Sequence, residues 1–185
     1  MPAEVPVLLT GRLRMRPHRI ADFADCAAMW GDPVVTRFIG GRPFSGEEVW
    51  TRILRYAGHW HLLGFGYWAL EDKATGQFLG EVGFAEYQRE IDPPLDGAPE
   101  IGWVLAPHAH GKGYATEAVR AALAWGDRHF EGPRTACLIH PDNLPSIRLA
   151  EKCGYREWLR TSYKGQPTIL FSRDLKSESA IRPTP

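Results

Sequence analysis

Two glycines, Gly111 and Gly113, lie between an apolar segment and a segment with helical spacing. Glycine lets an anion approach the backbone, and the first N–H groups of the following helix have no partner within that helix. The spacing therefore predicts a site for a phosphate-bearing ligand. A P-loop is excluded because Gly113, and not Ser or Thr, follows Lys112, and the third glycine of a dinucleotide-binding fingerprint is missing. A plain turn between strand and helix is the alternative.

A second segment, His140 to Tyr155, supports the functional interpretation. It carries an Asn-x-x-Ser sequence from Asn143 to Ser146 at the start of a predicted helix, and Gly154 precedes an aromatic residue at the end of that helix. The two segments together resemble the cofactor motifs of the GNAT N-acetyltransferases, in the variant common in the RimJ/RimL-like branch. The resemblance covers the chain from about Leu8 to Leu175.

The match in the glycine-rich loop has one departure. In the family pattern the loop reads Gln or Arg, two residues, Gly, one residue, then Gly or Ala; here His110, Gly113 and Ala115 stand in those places. The resemblance implies a mixed α/β structure of the GNAT fold. We expect a central, mostly antiparallel twisted sheet of about seven strands, with a parallel splayed pair at the cofactor site and about four flanking helices.

The resemblance also implies an activity. We expect transfer of an acetyl group from acetyl-CoA to a primary amine, either a protein N-terminus or a small molecule, by direct transfer in a ternary complex. By family resemblance, acetyl-CoA is bound by Trp103, Val104, Leu105, His110, Gly111, Lys112, Gly113, Tyr114, Ala115, Thr116, Asn143 and Ser146.

The catalytic assignments follow from what acetyl transfer requires, namely a neutral amine and a proton for the leaving thiolate. Glu100, at the start of the strand that lines the acceptor side, is the expected base, and Glu81 is its rival. Many family members use a tyrosine as the acid where this chain has Ala150. The acid role therefore passes to Ser146 or to water. Asn143 either contacts the cofactor or substrate, or caps a helix.

Other functions stay open at this point. The missing tyrosine motivates a non-catalytic acetyl-CoA sensor or interaction module, and the glycine turn alone permits a nucleotide-binding α/β protein. Several aromatic residues either line an apolar acceptor pocket or belong to the core: Trp30, Phe38, Trp60, Tyr67 and Trp68.

The spacing of apolar residues predicts the helices and strands that position these residues. Leu8 to Pro17 alternates apolar residues with Arg12, Arg14 and Arg16 and predicts one half-buried strand with a solvated arginine face. Ser45 and Glu48 form a capping-box pattern before the second helix. The remaining expected elements are a helix Ile20–Trp30, strands Gly66–Glu71, Gln77–Tyr87 and Glu100–Leu105, a helix Tyr114–Phe130, a strand Thr135–Ile139, a helix Pro145–Lys152, and strands Tyr155–Tyr163 and Thr168–Arg173.

Composition argues against several classes of protein, including nucleic-acid-binding and membrane-spanning proteins. The 185 residues include 22 basic and 22 acidic side chains, so net charge gives no reason to expect a nucleic-acid partner. No apolar run predicts a membrane span. Three unpaired cysteines suggest reduced thiols and a cytoplasmic protein, and no His, Cys or acidic spacing predicts a metal site. We expect one domain over residues 1–175, a disordered tail over residues 176–185, and a monomer or homodimer.

Overall fold

The computed structural model describes residues 4–175, so the predicted disorder of residues 176–185 lies outside the described residues. Within that range the chain forms eight strands and five α-helices. Their bounds are β1 Leu8–Leu9, β2 Leu13–Arg16, α1 Phe23–Trp30, α2 Pro33–Thr36, α3 Gly46–Leu63, β3 Tyr67–Asp72, β4 Phe78–Ala85, β5 Glu100–Leu105, α4 Tyr114–His129, β6 Arg134–Ile139, α5 Leu144–Lys152, β7 Arg156–Tyr163 and β8 Gln166–Asp174.

All described strands belong to one sheet, in the order β1-β2-β3-β4-β5-β6-β8-β7. Every neighbouring pair is antiparallel except β5 with β6, which are parallel. This confirms the predicted mixed α/β class and the single parallel pair. None of the helices among residues 4–175 combines the length and apolarity that a bilayer span requires.

The sheet is covered on both faces, as the alternation along β4 shows. Val82 and Phe84 pack into the larger core beneath α4, together with Val119. On the other face, Cys26 and Trp30 of α1 form a second core with residues of α3. Side chains of successive strand residues point to opposite faces, so Glu81, next to Val82, points toward α1 and α3. The sheet thus places a carboxylate inside the second core.

The first predicted strand is wrong in one respect. Residues Leu8 to Pro17 form two short antiparallel strands, with Leu8 opposite Met15, because the chain turns back at Thr10. The Thr10 backbone N–H donates to the Leu13 carbonyl at 3.0 Å, closing this turn. The extra strand and the short helix α2 raise the count to eight strands and five α-helices.

The arginines of this segment differ in their surroundings. The side chain of Arg14 is 52% exposed, as expected for a solvated face. Arg16, by contrast, is buried and pairs with Asp22 and Glu71 at 2.8 and 2.5 Å. The predicted solvated face is therefore wrong for Arg16, because the neighbouring turn supplies a carboxylate that satisfies a buried guanidinium.

The N-terminal caps of α3 and α5 are formed by the residues that the sequence suggested. Ser45 and Glu48 form the predicted capping box at the start of α3: the Glu48 N–H donates to Ser45 Oγ, and the Ser45 N–H donates to Glu48 Oε2. At α5, Asn143 Oδ1 accepts from the Ser146 N–H at 3.3 Å. Of the two roles considered for Asn143, the structure shows the helix cap. Its contact with a ligand stays a prediction.

Candidate active site

The parallel strands β5 and β6 separate along their length. They are paired at one position, Glu100 with Ala136, whereas β5 pairs with β4 at six positions. Beyond Glu100 the two described strands diverge toward Leu105 and Ile139. The edge of β5 that faces β6 is therefore open over residues 101–105, and an extended ligand can lie along it.

A side-chain hydrogen bond connects β5 with the start of α5. Trp103 Nε1 of β5 donates to Ser146 Oγ in the first turn of α5, at 3.3 Å. Asn143 holds the Ser146 backbone from the other side. Val104 and Leu105 have buried side chains that pack into the two cores, so only their backbone is available to a ligand in the gap.

The glycine-rich loop lies at the wide end of this gap. Gly111 has a φ of 72° and Gly113 a φ of 79°, left-handed values that favour glycine. Gly113 is the N-cap of α4 and supplies no side-chain cap, so the first N–H groups of Tyr114, Ala115 and Thr116 have no helical partner. These groups and the positive end of the helix dipole form an anion site.

Arg12 holds this loop in place. Its guanidinium donates to the Lys112 carbonyl at 2.9 Å and to Glu117 Oε2 at 2.7 Å, and its backbone N–H donates to the other Glu117 oxygen. It also lies 4.4 Å from the centre of the Tyr114 ring. Arg12 is half-exposed, yet its contacts show a bracing role that the sequence did not reveal. The Lys112 side chain itself is exposed.

His110 does not extend toward the anion site. Its Nε2 donates to the Leu105 carbonyl at 2.8 Å, which ties the loop to the end of β5. A role for His110 in contacting phosphate therefore needs a rearrangement of this side chain, and its place among the cofactor residues stays a prediction.

Glu81 is completely buried on the face of the sheet opposite α4. Its carboxylate accepts from four side chains: His18 Nε2 at 3.2 Å, Cys26 Sγ at 3.4 Å, Trp30 Nε1 at 3.1 Å and the Tyr56 hydroxyl at 2.9 Å. Burial alone would raise the pKa of Glu81, but the hydrogen bond and charge of His18 and the other donors lower it overall. Glu81 is held as a carboxylate.

Of the four donors to Glu81, the sequence suggested only Trp30, as a residue of an apolar acceptor pocket or of the core. They come from the β2–α1 connection, α1 and α3, and no local spacing links them. The His18, Cys26 and Glu81 ligand atoms lie within 4.8 Å of one another. Hydrogen bonds already occupy the carboxylate, and the absence of a metal site stays a prediction.

Glu100, the other candidate base, has a different environment. Arg89 donates to both of its oxygens, with distances of 2.5 and 2.7 Å. The Glu100 side chain keeps 10% of its surface exposed and sits where β5 and β6 are still paired. Arg89 follows the end of β4 in an irregular segment, and no sequence pattern predicted this pairing. The candidate base is mostly buried, keeps a small exposed surface and has an ion-pair partner.

Tyr67 lies over the backbone of β5. A Cβ added to Gly102 would overlap the Tyr67 hydroxyl, and Tyr67 stacks on Tyr56 with ring centres 4.6 Å apart. Burial, with the nearby hydroxyls of Tyr87 and Tyr56 and the charge of Glu100, raises the pKa of Tyr67 well above its usual value. A protonated phenol thus lies against β5, two residues from Glu100.

This geometry can be compared with known proteins. A family model described as an acetyltransferase (GNAT) domain matches residues 12–156. The chain belongs to the GNAT acetyltransferase family. The Bacillus subtilis protein YkkB is 34% identical over 175 residues, which are 90% of this chain and 94% of YkkB.

Two solved structures show the same relationship for the fold. A GNAT structure from Bordetella pertussis is 34% identical, with a TM-score of 0.80 over 91% of this chain and 99% of its own. The spermidine N-acetyltransferase of Vibrio cholerae, solved with CoA and spermine, is 18% identical, with a TM-score of 0.70 over 90% of this chain and 97% of its own. The second likeness shows the fold alone.

As a GNAT acetyltransferase, the protein uses acetyl-CoA as its co-substrate and acetylates an amine. Two features of the structure fit acetyl-CoA. A Cβ at Gly111 would have no atom within 4 Å, so the loop faces open space. The uncapped N-terminus of α4 opens beside the gap between β5 and β6. A long thioester with phosphates at one end has the shape and charge that these two features accept.

The remaining residues named in the sequence analysis are mostly buried. Ala150 occupies the position where many family members use a tyrosine as the general acid, and it is fully buried in the larger core. Tyr155 is also buried there, and its hydroxyl is 2.6 Å from Thr135 Oγ1. Trp30, Trp60, Tyr67 and Trp68 are buried, while Phe38 is half-buried and stacks on His140 at 5.4 Å.

Proposed function

We propose that this GNAT protein transfers an acetyl group from acetyl-CoA to a primary amine, of a protein N-terminus or a small molecule, with both substrates bound together. The observation that supports it is the divergence of β5 from β6 beside the uncapped start of α4. The proposed acetyl-CoA residues are Trp103, Val104, Leu105, His110, Gly111, Lys112, Gly113, Tyr114, Ala115, Thr116, Asn143 and Ser146.

The state of the cysteines supports direct transfer. A covalent route through cysteine needs an accessible thiolate. Cys26, Cys137 and Cys153 are buried, and burial raises the pKa of each thiol. Each thiol therefore stays protonated near neutral pH, and the amine is left to attack the thioester itself.

Glu100 is the proposed base. It takes a proton from the acceptor ammonium, directly or through water, and the neutral nitrogen then bonds to the acetyl carbon as the carbon–sulfur bond breaks. Glu81 is the weaker candidate because four donors saturate it and no solvent reaches it. Glu100 has one partner, Arg89, and a partly exposed side chain.

Ser146 is the proposed source of the hydrogen bond to the departing sulfur. It lies across the gap from β5, and its oxygen already accepts from Trp103. A serine hydroxyl that accepts from one neighbour still has its own hydrogen to donate. Since a thiolate is a good leaving group, water is the alternative donor, and we expect Ser146→Ala to lower turnover by no more than about 100-fold.

The test is calorimetric titration with acetyl-CoA, followed by CoA release in the same preparation with amino acids, polyamines and peptides beginning with Ala or Ser. Acetyl-CoA binding followed by CoA release supports the enzyme, and double-reciprocal plots of initial rate whose lines intersect support direct transfer in a ternary complex. Parallel lines contradict it. Binding without release on any amine supports the alternative of an acetyl-CoA sensor, and absence of binding contradicts the assignment of the cofactor loop.

A further inference from the structure

The Arg89 guanidinium is held between two tyrosine rings, 4.5 Å from the centre of Tyr87 and 4.8 Å from that of Tyr163. It makes a two-bond ion pair with Glu100. Burial opposes the charge of Arg89, but Glu100 raises its pKa, so the guanidinium stays charged. The Arg89 side chain is 20% exposed. The pair is thus fixed in orientation and open to solvent on one side.

A second cation lies beside this pair. The Arg55 guanidinium is 5.1 Å from the centre of the same Tyr87 ring, and within residues 4–175 it makes no ion pair. The guanidiniums of Arg89 and Arg55 at the Tyr87 ring, with the charge of Arg52 also acting on Tyr87, therefore accompany the carboxylate of Glu100. This excess of positive charge attracts an anionic group and disfavours a ligand that carries several cations.

A guanidinium and a carboxylate in contact are complementary to a zwitterion. We propose, on the basis of the proposed function, that Arg89 and Glu100 together recognise the carboxylate and the ammonium of an α-amino acid, which is the acetyl acceptor. Because the two side chains touch, the two charges of the acceptor must be close neighbours, as they are in an α-amino acid. A polyamine offers two cations, and a long peptide holds its terminal carboxylate far from its N-terminus.

The reaction then uses the same carboxylate twice. Acceptor binding moves Arg89 from Glu100 to the acceptor carboxylate, and Glu100 gains the ammonium as its new partner. Glu100 accepts one ammonium proton, and the nitrogen forms its bond to the acetyl carbon while the carbon–sulfur bond breaks. The second nitrogen proton passes to the departing thiolate or to water. The products are an N-acetyl amino acid and CoA, and Glu100 returns its proton to solvent.

A purely structural role for the pair predicts something different. The ion pair also ties the irregular segment after β4 to the start of β5, and such a tie alone gives no preference among acceptors. The chain offers a matched control, because Arg160 makes the same two-bond pair with Glu157 on the exposed strand β7. Arg160→Gln removes an ion pair with the same two hydrogen bonds, between side chains that are 64% and 44% exposed, and it leaves Arg89 and Glu100 unchanged.

The experiment measures kcat/KM for each amino acid against its carboxamide and its decarboxylated amine, in the wild type, Arg89→Gln and Arg160→Gln. We expect at least about a tenfold preference for the carboxylate in the wild type and in Arg160→Gln. In Arg89→Gln the KM for amino acids rises and the preference disappears. The carboxamide and the amine still carry the ammonium but no carboxylate, so we expect their KM to change less than that of the amino acids.

Equal use of amino acids and their carboxylate-free analogues by the wild type, or better use of polyamines or peptides, overturns this inference and leaves the proposed function intact. Acetyl-CoA binding without CoA release on any amine overturns the proposed function itself. A titration with acetyl-CoA confirms that each variant is folded. If Arg89→Gln does not fold, the wild-type comparison of each amino acid with its carboxamide decides the question alone.

Discussion

The contact between Tyr67 and Gly102 allows a quantitative test of how closely the Tyr67 side chain packs on β5. In Gly102→Ala the new Cβ would overlap the Tyr67 hydroxyl and lie 3.2 Å from Tyr67 Cζ. Overpacking of this kind destabilises a protein by about 1–3 kcal/mol. The φ of Gly102 lies outside the left-handed region, so we expect the effect to come from the contact with Tyr67 and not from backbone strain.

Removing the hydroxyl should relieve most of the overlap. In the double variant Gly102→Ala with Tyr67→Phe, the nearest ring atom is the former Cζ at 3.2 Å, a tight but tolerable contact. Tyr67→Phe alone should cost about 0.5–1.5 kcal/mol for the lost polar contacts. The two changes should then be non-additive by about 1–2 kcal/mol, with the double variant more stable than the sum of the single changes predicts.

The assay is urea unfolding of the wild type, the two single variants and the double variant. Gly58→Ala is the control, because no atom lies within 4 Å of its Cβ position and it lies inside α3, where alanine should stabilise by about 0.5–1 kcal/mol. Additive effects of Gly102→Ala and Tyr67→Phe would refute the packing argument. Acetyl-CoA titration of the double variant then reports whether a Cβ on this part of β5 obstructs the ligand.

Two further predictions concern the cofactor loop. Gly113→Ala should weaken acetyl-CoA binding by at least about tenfold, because it strains a left-handed position (φ 79°) at the anion site; Gly165→Ala, with φ 75° in the β7–β8 turn, should leave the affinity unchanged in the same titration. Burial alone would raise the pKa of Glu117, but Thr10 and Arg12 lower it. Its contribution to stability should therefore be complete at pH 7, begin to fall near its unfolded pKa of about 4.3 and vanish below its folded pKa, so that the difference between wild type and Glu117→Gln in urea unfolding disappears in acid.

The parts of the fold that the sequence predicted correctly are those with local physical causes. The capping box of α3 depends on residues three positions apart, and the start of α4 depends on Gly113, which immediately precedes it. The parallel pair β5 and β6 came from the family resemblance and not from periodicity. Local signals of this kind determine where an element begins, and that is where the anion site lies.

The contacts that the sequence did not predict join residues far apart in the chain. Glu81 receives hydrogen bonds from His18 and Tyr56, which are 63 and 25 residues away. Arg16 looked like one member of a solvated arginine row until the turn at Asp22 placed a carboxylate against it. Arg89 lies in an irregular segment whose path no periodic pattern describes. Such pairings depend on how elements pack, so only the folded structure reveals them.

The two candidate bases, Glu81 and Glu100, should therefore respond differently to the same substitution. Glu81→Gln replaces an acceptor of four hydrogen bonds by an amide that must turn its NH₂ toward some of those donors, and a loss of about 2–4 kcal/mol in unfolding free energy follows. Turnover per folded molecule should change little. Glu100→Gln should lower kcat by about 100-fold or more while acetyl-CoA affinity stays the same, because it removes the proton acceptor and not the cofactor site. Urea unfolding and CoA release with both variants measure the two effects separately, and folded Glu81→Gln protein without turnover would transfer the role of base to Glu81.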